Sequence, residues 1–358
     1  MYPTNRLSEQ DLNLVLEHTA SLWEEARGQR IFVSGGTGFF GCWLVESFCH
    51  INRALGLRAR MVVLSRTPAV FAAKCPHLVG DSAVALHEGD VRNFRFPEGK
   101  FGYVVHAATE TSAREAPESP LTMFSTIVDG TERVLQFAGA CGARKFLLTS
   151  SGAVYGKQPP ELTHVPETYG GAPDPLDLRN TYAEGKRTAE LLCALYQSAS
   201  LDCKIARCWA FCGPHLPLDQ HFAIGNFIGD VLANRPIQIH GDGTPRRSYL
   251  YAADLAVWLW TLLFRAPALV PINVGSSEDV SILELAQSVA ATLNPRTEIL
   301  VARHPIPGAP PLRYVPCVDR AQELLGLRQT IGLEECVRRT AKWHVKVDSG
   351  SRQSSNQP

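Results

Sequence analysis

Residues 33–41 read VSGGTGFFG, a glycine-rich stretch between a short apolar segment and a predicted helix. Three of its four glycines, Gly35, Gly38 and Gly41, have the spacing GxxGxxG, which lets the chain turn tightly and bring backbone N–H groups close to a pyrophosphate. The N-terminus of the following helix adds a favourable electrostatic field for that anion. We therefore predict that this turn binds a dinucleotide and is not merely structural. The expected contacts are Gly35, Thr37, Gly38, Phe39, Phe40 and Gly41.

Short apolar segments alternate with helical segments along the chain as far as residue 211. Such alternation is typical of a parallel sheet covered on both faces by helices. It predicts the α/β fold class, with a Rossmann-type doubly wound parallel sheet. The strand-like segments are 31–35, 59–65, 101–108, 145–151 and 203–211, and the helical ones are 40–51, 121–140 and 181–198.

The remaining segments suggest a smaller lobe and two terminal extensions. An amphipathic helix is expected over residues 8–27, started by Ser8 and Asp11, and packing on the main domain is favoured over a dimer contact. The second half is richer in proline and irregular, as expected for a lobe over the carboxyl edge of the sheet. The predicted parts are an N-terminal helical extension (1–29), a dinucleotide-binding Rossmann domain (30–211, with 248–270 returning to it), a substrate-binding lobe (212–247 and 271–345) and a disordered tail (346–358).

The composition argues against several classes of partner. Lys plus Arg and Asp plus Glu both number 35, which gives no support to a nucleic-acid-binding surface. No run of about 18 apolar residues occurs, so no membrane association is expected. Ten cysteines without paired CxxC spacing indicate reduced thiols in a cytoplasmic protein. Cys203, Cys208 and Cys212 lack the paired short spacings of a zinc site, and no metal site is predicted.

The end of the second strand indicates which dinucleotide is bound. An acidic residue there would hold the ribose 2′-hydroxyl of NAD, but the segment ends with Ser65 and Arg66, and no Asp or Glu occurs between Glu46 and Asp81. Arginine and serine can bind a 2′-phosphate. NADP is therefore favoured, with NAD as the alternative if Arg66 is only a solvated surface residue.

Two further segments carry expected cofactor contacts. In GDV, residues 89–91, Asp90 can accept from the adenine amino group and Val91 can pack on its ring. In HAAT, residues 106–109, small side chains let a ribose or nicotinamide approach the backbone. The expected contacts of the second segment are Ala107, Ala108 and Thr109.

The segment NTYAEGK places Tyr182 and Lys186 four residues apart on one face of a helix. A tyrosine with its ordinary pKa is a poor base at neutral pH. A lysine ammonium and a positively charged nicotinamide ring both favour phenolate, and we expect them to lower the pKa of Tyr182. The phenol could then exchange a proton with a substrate oxygen while hydride moves at the adjacent carbon.

The motifs together resemble the extended short-chain dehydrogenase/reductase family, in its nucleotide-sugar epimerase/dehydratase branch. The resemblance covers residues 30–330 and implies a nucleotide-diphosphate sugar as substrate and a homodimer formed through two helices. It implies that Tyr182, Lys186 and Ser151 are catalytic, and that Ser151 hydrogen-bonds the reacting sugar oxygen. It also implies that Arg247 binds the diphosphate and that Asn226 and Arg313 contact the nucleotide end. The motifs that carry it are GGTGFFG, GDV, HAAT, TSSGAVYG, YAEGK, GDGTPRRSYLYAADLA and RYVPCVDRAQELLG.

The chain departs from the family pattern beside Ser151. Family dehydratases carry an Asp-Glu pair directly after the catalytic hydroxyl residue, whereas this chain has Gly152 and Ala153. Ala210 and Ile127 likewise stand where many relatives have asparagine. Thr149 and Ser150 are expected to be satisfied within the sheet.

These features favour hydride transfer at sugar C4, by a 4-ketoreductase slightly ahead of a 4-epimerase. A 4,6-dehydratase or a decarboxylase ranks third because the acids are missing. A non-catalytic dinucleotide-binding sensor is disfavoured because Tyr182 and Lys186 are present. A carbonyl reductase acting on a small apolar substrate would not need Arg247.

Overall fold

The computed structural model of the chain describes residues 6–108, 119–220 and 222–352, with the backbone alone for residues 346–352. The strands are β1 (Arg30–Ser34), β2 (Arg60–Ser65), β3 (Val84–Glu88), β4 (Tyr103–His106), β5 (Lys145–Ser151), β6 (Asp202–Cys208), β7 (Phe211–Cys212), β8 (Ile237–Ile239), β9 (Arg246–Ser248), β10 (Leu250–Tyr251), β11 (Pro271–Val274), β12 (Asp279–Ser281), β13 (Ile299–Val301) and β14 (Arg313–Tyr314). The α-helices are α1 (Glu9–Thr19), α2 (Phe39–Ala54), α3 (Pro68–Lys74), α4 (Pro76–Val79), α5 (Pro120–Ala140), α6 (Thr181–Tyr196), α7 (Ala223–Leu232), α8 (Ala252–Arg265), α9 (Ile282–Leu293), α10 (Asp319–Leu325) and α11 (Leu333–Arg352). Short 3₁₀ helices span Ala20–Ala26, Gly152–Tyr155 and Leu178–Asn180.

Seven parallel strands form the central sheet in the order β3-β2-β1-β4-β5-β6-β11. The order reverses between β1 and β4, which pair with Ser34 opposite His106. At such a switch point the loops leaving the two strands diverge and open a crevice at the carboxyl edge, where ligands of this architecture bind. The predicted fold class is confirmed.

Alternate residues of β1 face two different cores. Ile31 and Val33 pack into the core shared with α2 and α8, whereas Phe32 faces the core shared with α5. The Phe32 ring lies 5.5 Å from Phe94 and 4.6 Å from Phe137, measured between ring centroids. A strand apolar on both faces is what a sheet sandwiched between helical layers requires.

The N-terminal segment packs on the main domain, on α8 and α2. Its carboxylate Asp11 is buried, accepting a hydrogen bond from the Tyr251 hydroxyl at 3.0 Å and forming a 2.6 Å ion pair with Arg339. The prediction of one helix over 8–27 is wrong in detail, because α1 ends at Thr19 and a 3₁₀ helix follows. Thr19 leaves helical geometry while its hydroxyl donates to the Val15 carbonyl, and a hydroxyl bonded in this way competes with the helix ladder.

Smaller sheets build the lobe, with β9 between β12 and β14, and β8 paired with β13. One predicted boundary is wrong, since β11, residues 271–274, is an edge strand of the central sheet and not part of the lobe. Its apolar Ile272 and Val274 are fully buried, and the strand packs beside β6 and α10, which explains the placement. At the other end α11 continues through Arg352, so residues 346–352 of the predicted disordered tail are helical. Within the described ranges, no helix combines the length and apolar character needed to cross a bilayer.

Candidate active site

Two positions in the turn after β1 have no room for a side chain, one because of the chain just beyond β4 and the other because of the turn itself. Gly35 has φ +74°, and a Cβ on it would lie 2.4 Å from the carbonyl carbon of Ala107 and the amide nitrogen of Ala108. A Cβ on Gly41 would lie 2.3 Å from the Gly36 backbone. Gly38 meets no such obstacle but occupies the N-cap of α2, where no side chain caps the helix. The first N–H groups of α2 therefore have no side-chain cap, and their binding of a dinucleotide phosphate stays a prediction.

The other predicted cofactor residues lie along the same edge. Ser65 ends β2 and accepts a hydrogen bond from the Thr67 amide at 3.2 Å. Arg66 is exposed. The carboxylate of Asp90 is held by Arg92 through two 2.9 Å hydrogen bonds, and this contact, with a smaller contribution from Arg66, lowers the pKa of Asp90.

The apolar cofactor residues frame the crevice. Val91 is buried against Gly130 of α5, where an added Cβ would meet it at 2.9 Å. Ala107 and Ala108 are half-buried just beyond β4. Thr109 lies outside the described residues.

Strand β5 ends on three hydroxyls with different partners. Thr149 donates to the His106 carbonyl at 3.2 Å, so it is satisfied within the sheet as predicted. Ser150 is instead satisfied by α6, donating to Glu190 at 2.5 Å, because Glu190 reaches across to pair with Arg207. Ser151 stands at the end of the strand and accepts from the Ala153 amide at 3.1 Å.

Tyr182 and Lys186 of α6 lie beside this strand end. Lys186 is 2% exposed, and its ammonium donates to the Thr149 carbonyl at 2.8 Å and lies 5.8 Å from the centroid of the Tyr182 ring. Burial lowers the pKa of Lys186 to about 8. Burial raises the pKa of Tyr182 to about 12, against a smaller lowering by a hydrogen bond with Ser151. The expected lowering of the Tyr182 pKa is therefore wrong for the protein alone, because desolvation of the phenol outweighs its polar contacts.

Aromatic side chains occupy the space where an acid would follow Ser151. A Cβ on Gly152 would lie 2.6 Å from the Trp209 ring and 2.8 Å from the Tyr314 hydroxyl. The two rings contact each other, with centroids 4.4 Å apart. A hydrogen bond with Ser151 also acts on the Tyr314 phenol, whose pKa burial raises. The space that an acidic side chain at position 152 would need is therefore filled by Trp209 and Tyr314.

A buried amide holds Trp209 and the neighbouring Tyr155 in place. Asn273 is fully buried, and its carbonyl oxygen accepts from the Trp209 indole at 3.1 Å and from the Tyr155 hydroxyl at 3.0 Å. Its NH₂ group donates to the carbonyls of Val165 at 2.9 Å and Cys317 at 3.0 Å. With all its polar atoms satisfied, Asn273 fixes the orientation of the rings.

The predicted substrate residues divide into two groups. Arg247 lies 5.6 Å from the Tyr314 ring centroid, burial lowers its pKa, and within the described ranges no carboxylate pairs with it. Arg313 is instead paired with Asp279 at 2.9 Å. Asn226 lies half-buried in the first turn of α7, and no contact joins it to Ser151 or Tyr182 among the described residues. The structure brings Arg247, but not Asn226, to the aromatic cluster beside Ser151.

Sequence reasoning missed Trp209, Tyr314 and Asn273. Trp209 adjoins Ala210, and Tyr314 adjoins Arg313, so both stand one residue from positions that the motifs had singled out. Of the two positions that lack asparagine, Ile127 is buried against Gly185 of α6, and Ala210 precedes β7. The sequence could have pointed to Trp209 and Tyr314, because both are aromatic residues inside motifs that were already assigned to the site.

Residues 31–275 match the model of the NAD dependent epimerase/dehydratase family. The chain belongs to this family. The resemblance to extended short-chain dehydrogenases/reductases is thereby confirmed. The turn at Gly35, the strand end at Ser151 and the pair on α6 all lie within the matched region.

Similar proteins include several plant decarboxylases. UDP-glucuronic acid decarboxylase 1 of Arabidopsis thaliana is 32% identical over 308 residues, which are 86% of this chain and 67% of that protein. UDP-glucuronic acid decarboxylase 2 of the same plant is 30% identical over 86% of this chain, which spans 66% of its length, slightly less than two thirds.

Solved structures share the fold. A UDP-galactose 4-epimerase is 27% identical with a TM-score of 0.68, covering 88% of this chain and 99% of that one. The NAD-dependent NDP-hexosamine 5,6-dehydratase TunA is 24% identical with a TM-score of 0.72, covering 89% and 98%. The second likeness supports the fold alone.

Replacing Lys186 by Met is expected to stabilise the cofactor-free protein at pH 7 by about 0–2 kcal/mol, because the burial penalty of ~3 kcal/mol equals or exceeds the ~1.5–3 kcal/mol of the hydrogen bond that the charged ammonium donates to Thr149. The folded-state pKa of about 8 lies below the ordinary 10.5, so the penalty is complete below pH 8 and disappears as the pH rises to 10.5. Urea unfolding at pH 7 and at pH 10.5 would measure the difference in the free energy of unfolding between the variant and the parent protein. Exposed Lys157→Met is the control. A Lys186→Met protein that is less stable than the parent at pH 7 contradicts the prediction.

Proposed function

We propose that the chain transfers hydride at C4 of a nucleotide-diphosphate sugar, with Tyr182 as the acid–base group. The observation that carries this proposal is the convergence of Ser151, Tyr182 and buried Lys186 at the end of β5, beside the glycine-rich turn. The contacts that exclude any Cβ from Gly35 and Gly41 support a close-fitting dinucleotide at that turn. When bound, the nicotinamide dinucleotide supplies the hydride acceptor or donor.

Each of the three side chains has a distinct part in the proposed step. Ser151 donates a hydrogen bond to the C4 oxygen, and Tyr182 takes the proton from that oxygen as C4 becomes a ketone. In the reverse direction Tyr182 returns the proton. Lys186 is fixed by its hydrogen bond to Thr149 and keeps a positive charge near Tyr182. This charge stabilises the phenolate form of Tyr182, which burial alone would disfavour.

The filled position beside Ser151 limits what can follow oxidation at C4. Dehydration needs acid–base groups to eliminate water across C5 and C6, and Gly152 and Ala153 provide none. Epimerisation and 4-keto reduction need only hydride and proton transfer at C4. The site therefore supports the 4-ketoreductase or 4-epimerase that the sequence favoured over a 4,6-dehydratase.

Decarboxylation of a nucleotide-linked hexuronic acid is the second candidate, favoured by the similarity to UDP-glucuronic acid decarboxylases. A C4 ketone makes the C6 carboxylate a β-keto acid. Its C5–C6 bond breaks with loss of CO₂, and the electron pair moves onto the ketone oxygen, so no base at C5 is needed. The missing acids thus count against dehydration but not against decarboxylation, and ranking the two together from the sequence was unjustified.

Arg247 is the proposed diphosphate contact. Its guanidinium is partly buried beside Tyr314 without a carboxylate partner in the described parts of the chain. A phosphate would compensate that charge with two parallel hydrogen bonds. Arg313, already paired with Asp279, and Asn226 are proposed only as weaker contacts to the nucleotide end.

A panel of nucleotide sugars that includes UDP-glucuronic acid, incubated with protein and NAD(P)(H), tests the proposal. NMR would distinguish epimerised, reduced, 4-keto and decarboxylated products. Tyr182→Phe should lower kcat by about 10²–10⁴-fold and leave cofactor affinity unchanged. Tyr196→Phe is the matched control, because Tyr196 lies on the same helix and its hydroxyl donates to Glu132 at 3.3 Å, away from the Ser151–Tyr182 centre. Unchanged turnover in Tyr182→Phe would remove the mechanism, and failure of every sugar would favour the non-catalytic sensor.

We propose NADP as the preferred cofactor, with NAD as the alternative. Arg66 is exposed directly after β2, and no carboxylate ends that strand to repel a 2′-phosphate. Arg66→Ala is expected to weaken NADP binding about 10–100-fold, because charge-assisted hydrogen bonds contribute about 1.5–3 kcal/mol. NAD binding should not change. Calorimetry would measure the affinities of Arg66→Ala for NADP and NAD. Arg60→Ala, exposed at the far end of β2, is the control. An equal loss of affinity for both cofactors in Arg66→Ala would contradict the NADP preference.

We also propose a homodimer formed through α5 and α6, which pack side by side. Leu121, Leu191 and Leu195 of these helices are 77%, 58% and 70% exposed, an apolar surface that a second copy would cover. The double variant Leu191→Glu/Leu195→Glu should be monomeric by light scattering. Leu324→Glu, 53% exposed on α10, should remain dimeric. A monomeric parent protein would disprove the dimer.

A cytoplasmic location is proposed from the thiols. All ten cysteines are free, and nine of them are buried. Such a set is compatible with a reducing compartment. Disulfides in the natively purified chain would contradict this location.

A further inference from the structure

We infer from the structure that the chain binds one zinc ion in a buried site formed by Cys42, Cys75 and His215, with His77 as the fourth ligand. The site lies beneath the glycine-rich turn and is separate from the Ser151–Tyr182 centre. It does not depend on the proposed function.

Three ligand atoms already lie close together. The thiols of Cys42 and Cys75 and a ring nitrogen of His215 all lie within 4.8 Å of one another, and all three residues are buried. They come from the first turn of α2, the junction of α3 and α4, and the loop after β7. Zinc held at its usual distances by sulfur and nitrogen separates its ligand atoms by about 3.5–3.8 Å, so these three side chains would need to move only slightly. His77, two residues after Cys75, is not part of that close set, and its side chain would have to move to reach the ion.

Two histidines at this place lack the hydrogen bonds that buried imidazoles normally make. His215 is 6% exposed, and neither of its ring nitrogens has a hydrogen-bond partner among the described residues. The ring nitrogens of His77 are likewise unbonded, although Nε2 lies 3.3 Å from a Glu46 oxygen in a geometry too poor for a hydrogen bond. Buried polar groups without partners are rare and costly. A metal ion would satisfy one nitrogen of each ring.

The backbone at His215 strengthens the inference. His215 has φ +70°, a conformation that residues other than glycine seldom adopt, and it directs the ring into the protein against Trp343, with centroids 4.7 Å apart. Such conformations persist where the surrounding structure requires the side chain in one place.

The chemistry of the ligands favours zinc. Two thiolates and two neutral imidazoles around Zn²⁺ have no net charge, which suits a buried site. Magnesium and calcium prefer oxygen ligands, and none of the four proposed ligands offers one. Four protein ligands leave no position open to substrate, so the assigned role is structural.

The site would connect three elements to the cofactor turn. The Cys42 thiol donates to the Thr37 carbonyl at 3.7 Å. A coordinating thiolate has no proton to donate, so zinc binding would end that hydrogen bond. The ion would replace it with a link between α2, the α3–α4 junction and the loop after β7.

Metal analysis of the full chain, purified without chelator, tests the inference. We expect about one zinc ion per chain, and thiolate-to-metal charge-transfer absorption after cobalt(II) replaces zinc. Cys75→Ser and His215→Gln should lose the metal, whereas Cys49→Ser should keep it, because Cys49 is a buried cysteine of α2 outside the cluster. His77→Gln should weaken zinc affinity about tenfold or more.

Three results would overturn the inference: parent protein that takes up neither zinc nor cobalt, full metal content in Cys75→Ser and His215→Gln, or a Cys42–Cys75 disulfide in the non-reduced peptide map. Unchanged zinc affinity in His77→Gln would overturn the fourth ligand alone. Should the ligand variants fail to fold, cobalt titration of the parent protein decides, since thiolate charge transfer requires coordinated cysteine.

Discussion

The contact between Gly35 and the backbone of Ala107 and Ala108 determines how the functional edge of this protein is built. No side chain fits at Gly35, because its Cβ would lie 2.4 Å from that backbone. The chain leaving β1 can therefore turn directly over the end of β4 at the point where the strand order reverses. That turn sets the start of α2, and β4 in turn aligns β5, so that the uncapped helix and Ser151 open onto one crevice.

Within that crevice two ionisable side chains are buried at a cost to the stability of the fold. Burial lowers the pKa of Lys186 and raises that of Tyr182, so each group is held in surroundings that disfavour its charged form. No carboxylate within the described ranges forms an ion pair with Lys186, whose ammonium bonds the Thr149 carbonyl, and a charge buried in this way does not improve the fold. A bound anion or a developing phenolate would compensate the cost of burying this charge. Groups whose burial cost is compensated in this way are common in active sites. The rings of Trp209 and Tyr314 then restrict the chemistry by occupying the space of a second acid.

Short-range patterns made much of the fold and site predictable. The glycine turn, the Tyr182–Lys186 spacing and the strand–helix alternation depend on residues close together in sequence, so one reading of the chain could detect them. The pairing of Arg313 with Asp279 and the filling of the Gly152 position depend on contacts between distant segments. The same holds for Cys42, Cys75 and His215, whose wide spacing resembles no metal motif although their ligand atoms converge. The Tyr182 pKa was misjudged because sequence indicates neighbouring charges but not the extent of desolvation.

The burial of Asp11 has a consequence for the synthesis of the chain on the ribosome. This carboxylate is compensated by Arg339 and Tyr251, which are translated long after it. An uncompensated carboxylate is costly to bury, so α1 cannot dock stably during synthesis until α11 has followed. Trp23, which follows α1, likewise lacks its partners Trp260 and Phe264 until α8 has been made, so its indole stays uncovered while the intervening segments are translated.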